Sequence, residues 1–177
     1  MKSLSLFLML ALLVGCPKEK QPTAPDPAAT MTWFAIFIAD QEGATPPATV
    51  QVEATAGGGS LLFVEAPALL VDKPPEGWRR WTRIGDATAR ARLGNPGWLL
   101  AAAAEGAESS AVYLELTAAA AAEPDIRTTL QSSGVRVNTI AGNIVTASVP
   151  RGAWGALLKL SQLVSVEPAD VVGKKAP

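Results

Sequence analysis

The residue types that most often perform acid–base, nucleophilic or metal chemistry are scarce in this 177-residue chain, which has no histidine and one cysteine, Cys16. Without histidine there is no Ser-His-Asp or Cys-His nucleophile pair, no imidazole general base and no Cys/His set for zinc. The carboxylates are scattered in local pairs such as Asp40 with Glu42, and neither Gly-x-Ser-x-Gly nor Ser-x-x-Lys occurs. We therefore expect a protein that is not an enzyme and holds neither metal nor cofactor.

Cys16 closes an N-terminal segment that has the layout of an export signal. Lys2 supplies a positive charge, residues 4–13 are mostly apolar, and the small residue Gly15 precedes the cysteine. The apolar run is shorter than the roughly 20 residues of a membrane span. The sequence Leu13-Val14-Gly15-Cys16 resembles the lipobox of bacterial lipoproteins, which implies cleavage before Cys16 and lipid attachment to it. The alternative is an N-terminal transmembrane anchor with a chance cysteine.

Residues 16–30 are predicted to form a tether behind the lipidated cysteine. Prolines stand at positions 17, 22, 25 and 27, and no bulky apolar residue is present, so the segment is typical of an extended, semi-rigid spacer. Lipoproteins kept at the inner membrane by enterobacteria often carry Asp after the cysteine, whereas this chain has Pro17. The resemblance therefore implies a lipid-anchored protein of the cell envelope, at the outer membrane, on the periplasmic face or the cell surface.

The charge balance bears on the class of partner. The 15 basic and 16 acidic residues become 14 and 16 once residues 1–15, with Lys2, are removed. Nucleic-acid binding requires a surplus of positive charge that neutralises phosphates, so we expect no nucleic acid as a partner. A protein partner, together with the membrane at the lipid anchor, fits this balance better.

Residues 31–95 are predicted to be rich in β-strands. Residues 31–39 form an apolar run, residues 49–55 alternate, and a glycine turn at 57–59 leads into a return strand at 60–65. Residues 78–92 contain five arginines, and we interpret them as a strand with Trp78, Trp81 and Ile84 packed and the arginines solvated. The alternative is a patch that binds anions or lipid headgroups.

Residues 96–168 show a clearer succession of elements. A helix at 96–104 precedes a β-α-β-β-α-β pattern, with strands at 111–116, 135–140, 144–149 and 163–167 and helices at 123–133 and 151–161. This order is the split βαβ, ferredoxin-like arrangement, an α+β fold with two helices on one face of an antiparallel sheet. Residues 169–177 form a tail.

Strand alternation assigns one face of this sheet to the helices and leaves the other, here called the open face, without a cover. The residues predicted to face the helices are Val112, Leu114, Leu116, Val135, Val137, Val145, Ala147, Val149, Val164 and Val166. The residues predicted on the open face are Tyr113, Glu115, Arg136, Asn138, Thr146, Ser148, Ser165 and Glu167.

Residues 96–168 are similar to the propeptide module of bacterial subtilisin-like serine proteases. The similarity rests on hydrophobic spacing with a glycine and a proline, in Gly134-Val135-Arg136-Val137, residues 141–147, Val149-Pro150 and Val164-Ser165-Val166-Glu167. It implies that the open face binds a protein, with Tyr113, Arg136, Asn138, Thr146, Ser148 and Ser165 as partner-binding candidates, and that the tail lies in a protease cleft. The chain lacks histidine, so it does not contain such a protease itself.

Two functions follow from these patterns. The first is a membrane-anchored lipoprotein with a non-catalytic protein-binding module, structural or accessory in the envelope. The alternative is an inhibitor or folding chaperone of a subtilisin-like protease. A module of residues 111–167 would be marginally stable alone, so either an external partner or the aromatic residues of 31–90 could cover the open face.

Overall fold

The computed structural model describes residues 32–169, so the predicted signal, Cys16, the tether and all but the first residue of the tail lie outside the described residues. Within that range the chain is α+β, with two antiparallel four-stranded sheets and six α-helices, which confirms the predicted class.

The first sheet is built from the N-terminal part of the described chain. Its elements are β1 (Thr32–Ala39), β2 (Gln51–Ala56), β3 (Leu61–Pro67), α1 (Ala68–Asp72) and β4 (Trp78–Gly85). The strand order is β2-β3-β1-β4, and all neighbours are antiparallel. A short 3-10 turn, Gly57–Gly59, joins β2 to β3, and its three residues have φ values of 57°, 65° and 92°, which glycine adopts without steric cost.

The second sheet follows two connecting helices, α2 (Ala87–Arg92) and α3 (Gly97–Ala104). Its elements are β5 (Ser109–Leu116), α4 (Ala118–Ala121), α5 (Ile126–Ser132), β6 (Arg136–Ala141), β7 (Ile144–Pro150), α6 (Trp154–Leu157) and β8 (Leu163–Pro168). The strand order is β6-β7-β5-β8, again antiparallel throughout. Numbered within its own four strands, each sheet therefore has the order 2-3-1-4.

Several elements are shorter than the sequence predicts, for local reasons. The interpretation of 78–92 as one strand is wrong beyond Gly85: the Asp86 side chain accepts a hydrogen bond from the Ala89 amide (3.0 Å) and caps α2, so residues 87–92 are helical. The helix predicted from residue 123 begins at Ile126, since Glu123 precedes a proline, which disfavours helical backbone there. The helix predicted over 151–161 is a 3-10 turn at 151–153 followed by α6.

The two central strands of the first sheet, β1 and β3, are buried on both faces. In β1, Phe34 and Ile36 enter one hydrophobic core while Ala35 and Phe37 enter another, on the side of α1. A strand covered on both sides needs apolar residues at successive positions, not at alternate ones. This two-sided burial explains the nearly continuous apolar run at 31–39.

One continuous core joins the inner face of the first sheet to the helix side of the second. It includes Phe63 from β3, Leu99 from α3, Trp154 from α6 and Leu114 from β5, all with essentially no exposed surface. The rings of Trp98 and Trp154 meet edge to face with centroids 5.6 Å apart. The two sheets are therefore held together through the helices that lie on the helix side of the second sheet.

Residues 151–158 make the direct junction with the first sheet. The Thr82 hydroxyl donates to the Arg151 carbonyl oxygen (2.6 Å), and the Arg92 guanidinium donates to that of Leu158 (2.5 Å). Gly155 lies so close to β4 that a Cβ there would stand 3.2 Å from the Arg83 carbonyl oxygen. Residues 32–92 thus pack on the helix side of the second sheet and not on its open face.

We expect Gly155→Val to destabilise the protein by about 1–3 kcal/mol, because the new side chain must push β4 away from α6. Gly152→Val is the matched control, since a Cβ at Gly152 meets nothing within 4 Å. The free energies of unfolding from urea titration test the difference. Equal stability of the two variants would contradict the close approach at Gly155.

Candidate functional site

The strand registers arrange the open face in three rows that run across the second sheet. The row nearest the start of β5 has Arg136, Ser148 and Ala111; the middle row has Thr139, Thr146, Tyr113 and Glu167; the third has Ala141, Ile144, Glu115 and Ser165. Asn138 is exposed at the irregularity between Val137 and Thr139. The structure therefore brings five of the six predicted partner-binding residues into these rows, and Thr139 takes the row position that alternation gives to Asn138.

Exposure differs sharply between the two sides of the sheet. Tyr113 and Ile144 keep 39% and 38% of their surface in contact with solvent, although both carry large apolar groups. Their chain neighbours Val112, Leu114 and Val145, which point to the other side, are fully buried. The open face is thus a solvent-exposed surface that carries both apolar and polar side chains.

The prediction that Val164 faces the helices is wrong. In β8, Leu163 pairs with Leu116 and Ser165 pairs with Glu115, so Val164 is the extra residue of a β-bulge. A bulge shifts the two-residue alternation by one position. As a result Leu163 is buried and Val164 is 45% exposed, while Val166 is buried as predicted.

Two carboxylates and two apolar groups line a shallow groove at one side of the open face. The groove holds about 240 Å³ and is formed by Tyr113, Glu115, Ile144, Ser165 and Glu167, which we call the acidic groove. The Ser165 hydroxyl donates a hydrogen bond to Oε2 of Glu115 (2.9 Å), which fixes that carboxylate. Among residues 32–169, no lysine or arginine forms an ion pair with either glutamate.

The basic residue of the open face is remote from the acidic groove. Arg136 lies on β6 and Glu167 on β8, at opposite edges of the sheet. Their strands are separated by three inter-strand spacings, which total about 14 Å. The open face is therefore acidic at one edge and basic at the other.

Three of the groove residues are not among the predicted partner-binding residues. The sequence predicts Glu115 and Glu167 on the open face without a binding role, and it predicts no face for Ile144. Ile144, Thr146 and Ser148 occupy alternate positions of β7 and therefore lie on the same face. Extending the alternation of Thr146 and Ser148 back to the turn predicts Ile144 on the open face.

The five arginines between Trp78 and Arg92 are engaged within the chain. Their partners are Asp40 for Arg79 (3.9 Å), Asp72 for Arg80 and Arg83 (3.0 Å each), Glu53 for Arg90 (2.8 Å) and the Leu158 carbonyl oxygen for Arg92. Trp78, Trp81 and Ile84 are buried, as predicted. These contacts favour a structural role for the cluster over an anion-binding patch.

No family model, curated protein or solved structure matches this chain. None of the helices formed by residues 32–169 has the length and apolarity needed to cross a bilayer. In the same range, no group of three or more His, Cys, Asp or Glu side chains is arranged to bind a metal ion. The sequence motifs and the open face are therefore the basis for a functional proposal.

Proposed function

We propose that the protein is a lipid-anchored, non-catalytic accessory protein of the bacterial cell envelope that binds another protein through its open face. The observation that carries this proposal is the exposure of that face, with Tyr113 and Ile144 more than one-third accessible. Residues 32–92 pack on the opposite side of the second sheet, so within 32–169 the first sheet does not cover the open face.

We assign residues 109–168 to the ferredoxin-like class. Their elements follow the order β-α-β-β-α-β, if α4 and α5 count as one crossover, and the strand order 2-3-1-4 is compatible with it. Ile126 of α5 and Trp154 of α6 are both buried in the core on the same side of the sheet. In this arrangement one sheet face is left for a partner, although the fold alone does not define which partner.

The anchor supports the envelope location. The sequence Leu13-Val14-Gly15-Cys16 follows an apolar run and precedes a proline-rich segment of the kind that separates a folded domain from a bilayer. Several acyl chains on one cysteine would hold the protein durably, because each buried methylene contributes about 0.8 kcal/mol.

The lipidation part of the proposal predicts that radiolabelled palmitate marks the full-length protein in a bacterial host and does not mark Cys16→Ser. The chain has no second cysteine to accept the label. Ser3→Ala, a change within the same N-terminal segment, is the matched control and should retain it. Label on Cys16→Ser, or none on the parent protein at equal expression, would contradict the anchor.

The binding part of the proposal predicts position-dependent photo-crosslinking in cells. A photoreactive phenylalanine at Thr146, in the middle of the open face, should capture a distinct protein. The same group at Gln51, which is exposed on β2 of the first sheet, should not. Equal capture from both positions, or no adduct from Thr146, would show that the open face is not a specific binding surface.

An inhibitor or folding chaperone of a subtilisin-like protease is a second candidate, favoured by the antiparallel strand order together with the exposed face. Residues 17–177 at micromolar concentration should then slow peptide hydrolysis by a subtilisin-like protease. Thr146→Arg, which places a bulky charge on the face, should relieve the inhibition. Digestion of the chain without any slowing would contradict this candidate.

A further inference from the structure

We infer that the acidic groove of the open face binds a basic side chain of the partner protein, a lysine or arginine that stands beside an apolar residue. This inference rests on the proposed function, because it names the chemistry that the same face would recognise. It follows from four features of the groove: the spacing of its carboxylates, the absence of a salt-bridge partner for them within residues 32–169, the neighbouring tyrosine ring and the adjoining isoleucine.

The two carboxylates stand at a spacing that one cation can bridge. Glu115 and Glu167 lie on neighbouring strands, and Tyr113 is the direct cross-strand neighbour of Glu167. Glu115 and Glu167 are thus diagonal neighbours on one face, with Cα atoms separated by about 7–8 Å. An ammonium or guanidinium group placed between them would be within hydrogen-bonding reach of both.

The electrostatics of the groove favour a cation. Neither carboxylate has a salt-bridge partner within residues 32–169, and like charges at this spacing repel one another. The hydroxyl of Ser165 already holds Oε2 of Glu115, so that carboxylate is oriented before a ligand arrives. An incoming cation would relieve the repulsion and pair with a partly preorganised acceptor.

Tyr113 and Ile144 supply the apolar part of the site. A half-exposed tyrosine ring attracts cations through its π face. The methylene stem of a lysine or arginine packs on apolar surface while its head remains polar. Ile144 extends this surface beside Glu115, so an apolar residue next to the basic one would also be accommodated.

The test is a nuclear magnetic resonance titration of residues 17–177 with three matched peptides. The probes are acetyl-Val-Lys-Val-Lys-Val-amide and its analogues with Glu or Gln in place of Lys. We expect the Lys peptide to shift the amide signals of Tyr113, Ile144 and Ser165, and the Glu peptide to leave them unchanged. Raising the salt from about 0.05 to 0.5 M should weaken the binding, because exposed charges are screened.

The matched variants remove two negative charges from different places. Glu115→Gln with Glu167→Gln should weaken binding of the Lys peptide by about two- to five-fold for each carboxylate, as for other exposed ion pairs. Glu42→Gln with Glu105→Gln removes two exposed carboxylates elsewhere and should leave the affinity unchanged. Equal binding of the Lys and Glu peptides, shifts on another surface, or no loss in the groove variant would overturn the inference.

Two further outcomes separate this inference from its alternatives. If the Lys peptide binds only to the variant with Lys174→Gln and Lys175→Gln, the chain's own tail is the occupant of the acidic groove. This result would overturn the inference that the basic side chain comes from a partner. Crosslinks from Thr146 that persist at full yield in Glu115→Gln/Glu167→Gln would support the open face as a protein-binding surface. They would overturn the inference that the acidic groove binds a basic side chain of the partner. Absence of crosslinks in both backgrounds would reject the face itself.

Discussion

The structure depends on the packing of residues 151–158 between the two sheets. Trp154 is fully buried there, and its ring meets that of Trp98 from α3. The same short segment accepts hydrogen bonds from Thr82 and Arg92 and lies against β4 at Gly155. Because this segment also belongs to the crossover between β7 and β8, the first sheet necessarily packs on the helix side of the second. Alone, the first sheet could not bury its inner face to this extent, and the second sheet could not bury its helix side.

That packing gives the two sheets different surroundings although they share one strand order. The central strands of the first sheet have a core on each face, so β1 carries apolar residues at successive positions. The second sheet has a core on one face only, so β5 alternates between buried Val112 and Leu114 and exposed Tyr113. Within residues 32–169 the open face remains exposed, and it carries one aromatic ring, one isoleucine, carboxylates, hydroxyls and an arginine.

The proposed anchor and the open face fit a single account of the protein. A lipidated Cys16 would hold the domain at a membrane, the proline-rich segment would give it reach, and the open face would meet a partner at the envelope. The proposed preference of that face for a basic side chain rests on Glu115 and Glu167, which lie beside Tyr113 and have no salt-bridge partner within residues 32–169. Of the arginines in 78–92, by contrast, Arg80, Arg83 and Arg90 pair with carboxylates of residues 53–72, and Arg92 bonds to the crossover at Leu158.

The sequence by itself determined the α+β class, the strands of both sheets and the side of the second sheet that most residues occupy, because two-residue alternation and glycine or proline boundaries are local signals. It also indicated that Trp78, Trp81 and Ile84 are packed, because large apolar side chains are usually buried, but only the structure divides them between two cores. Only the tertiary structure decided that Val164 is exposed, because the bulge arises from pairing with β5. It alone decided which surface the first sheet covers and how Glu115, Tyr113 and Glu167 meet, because these juxtapositions depend on the packing and register of segments distant in the chain.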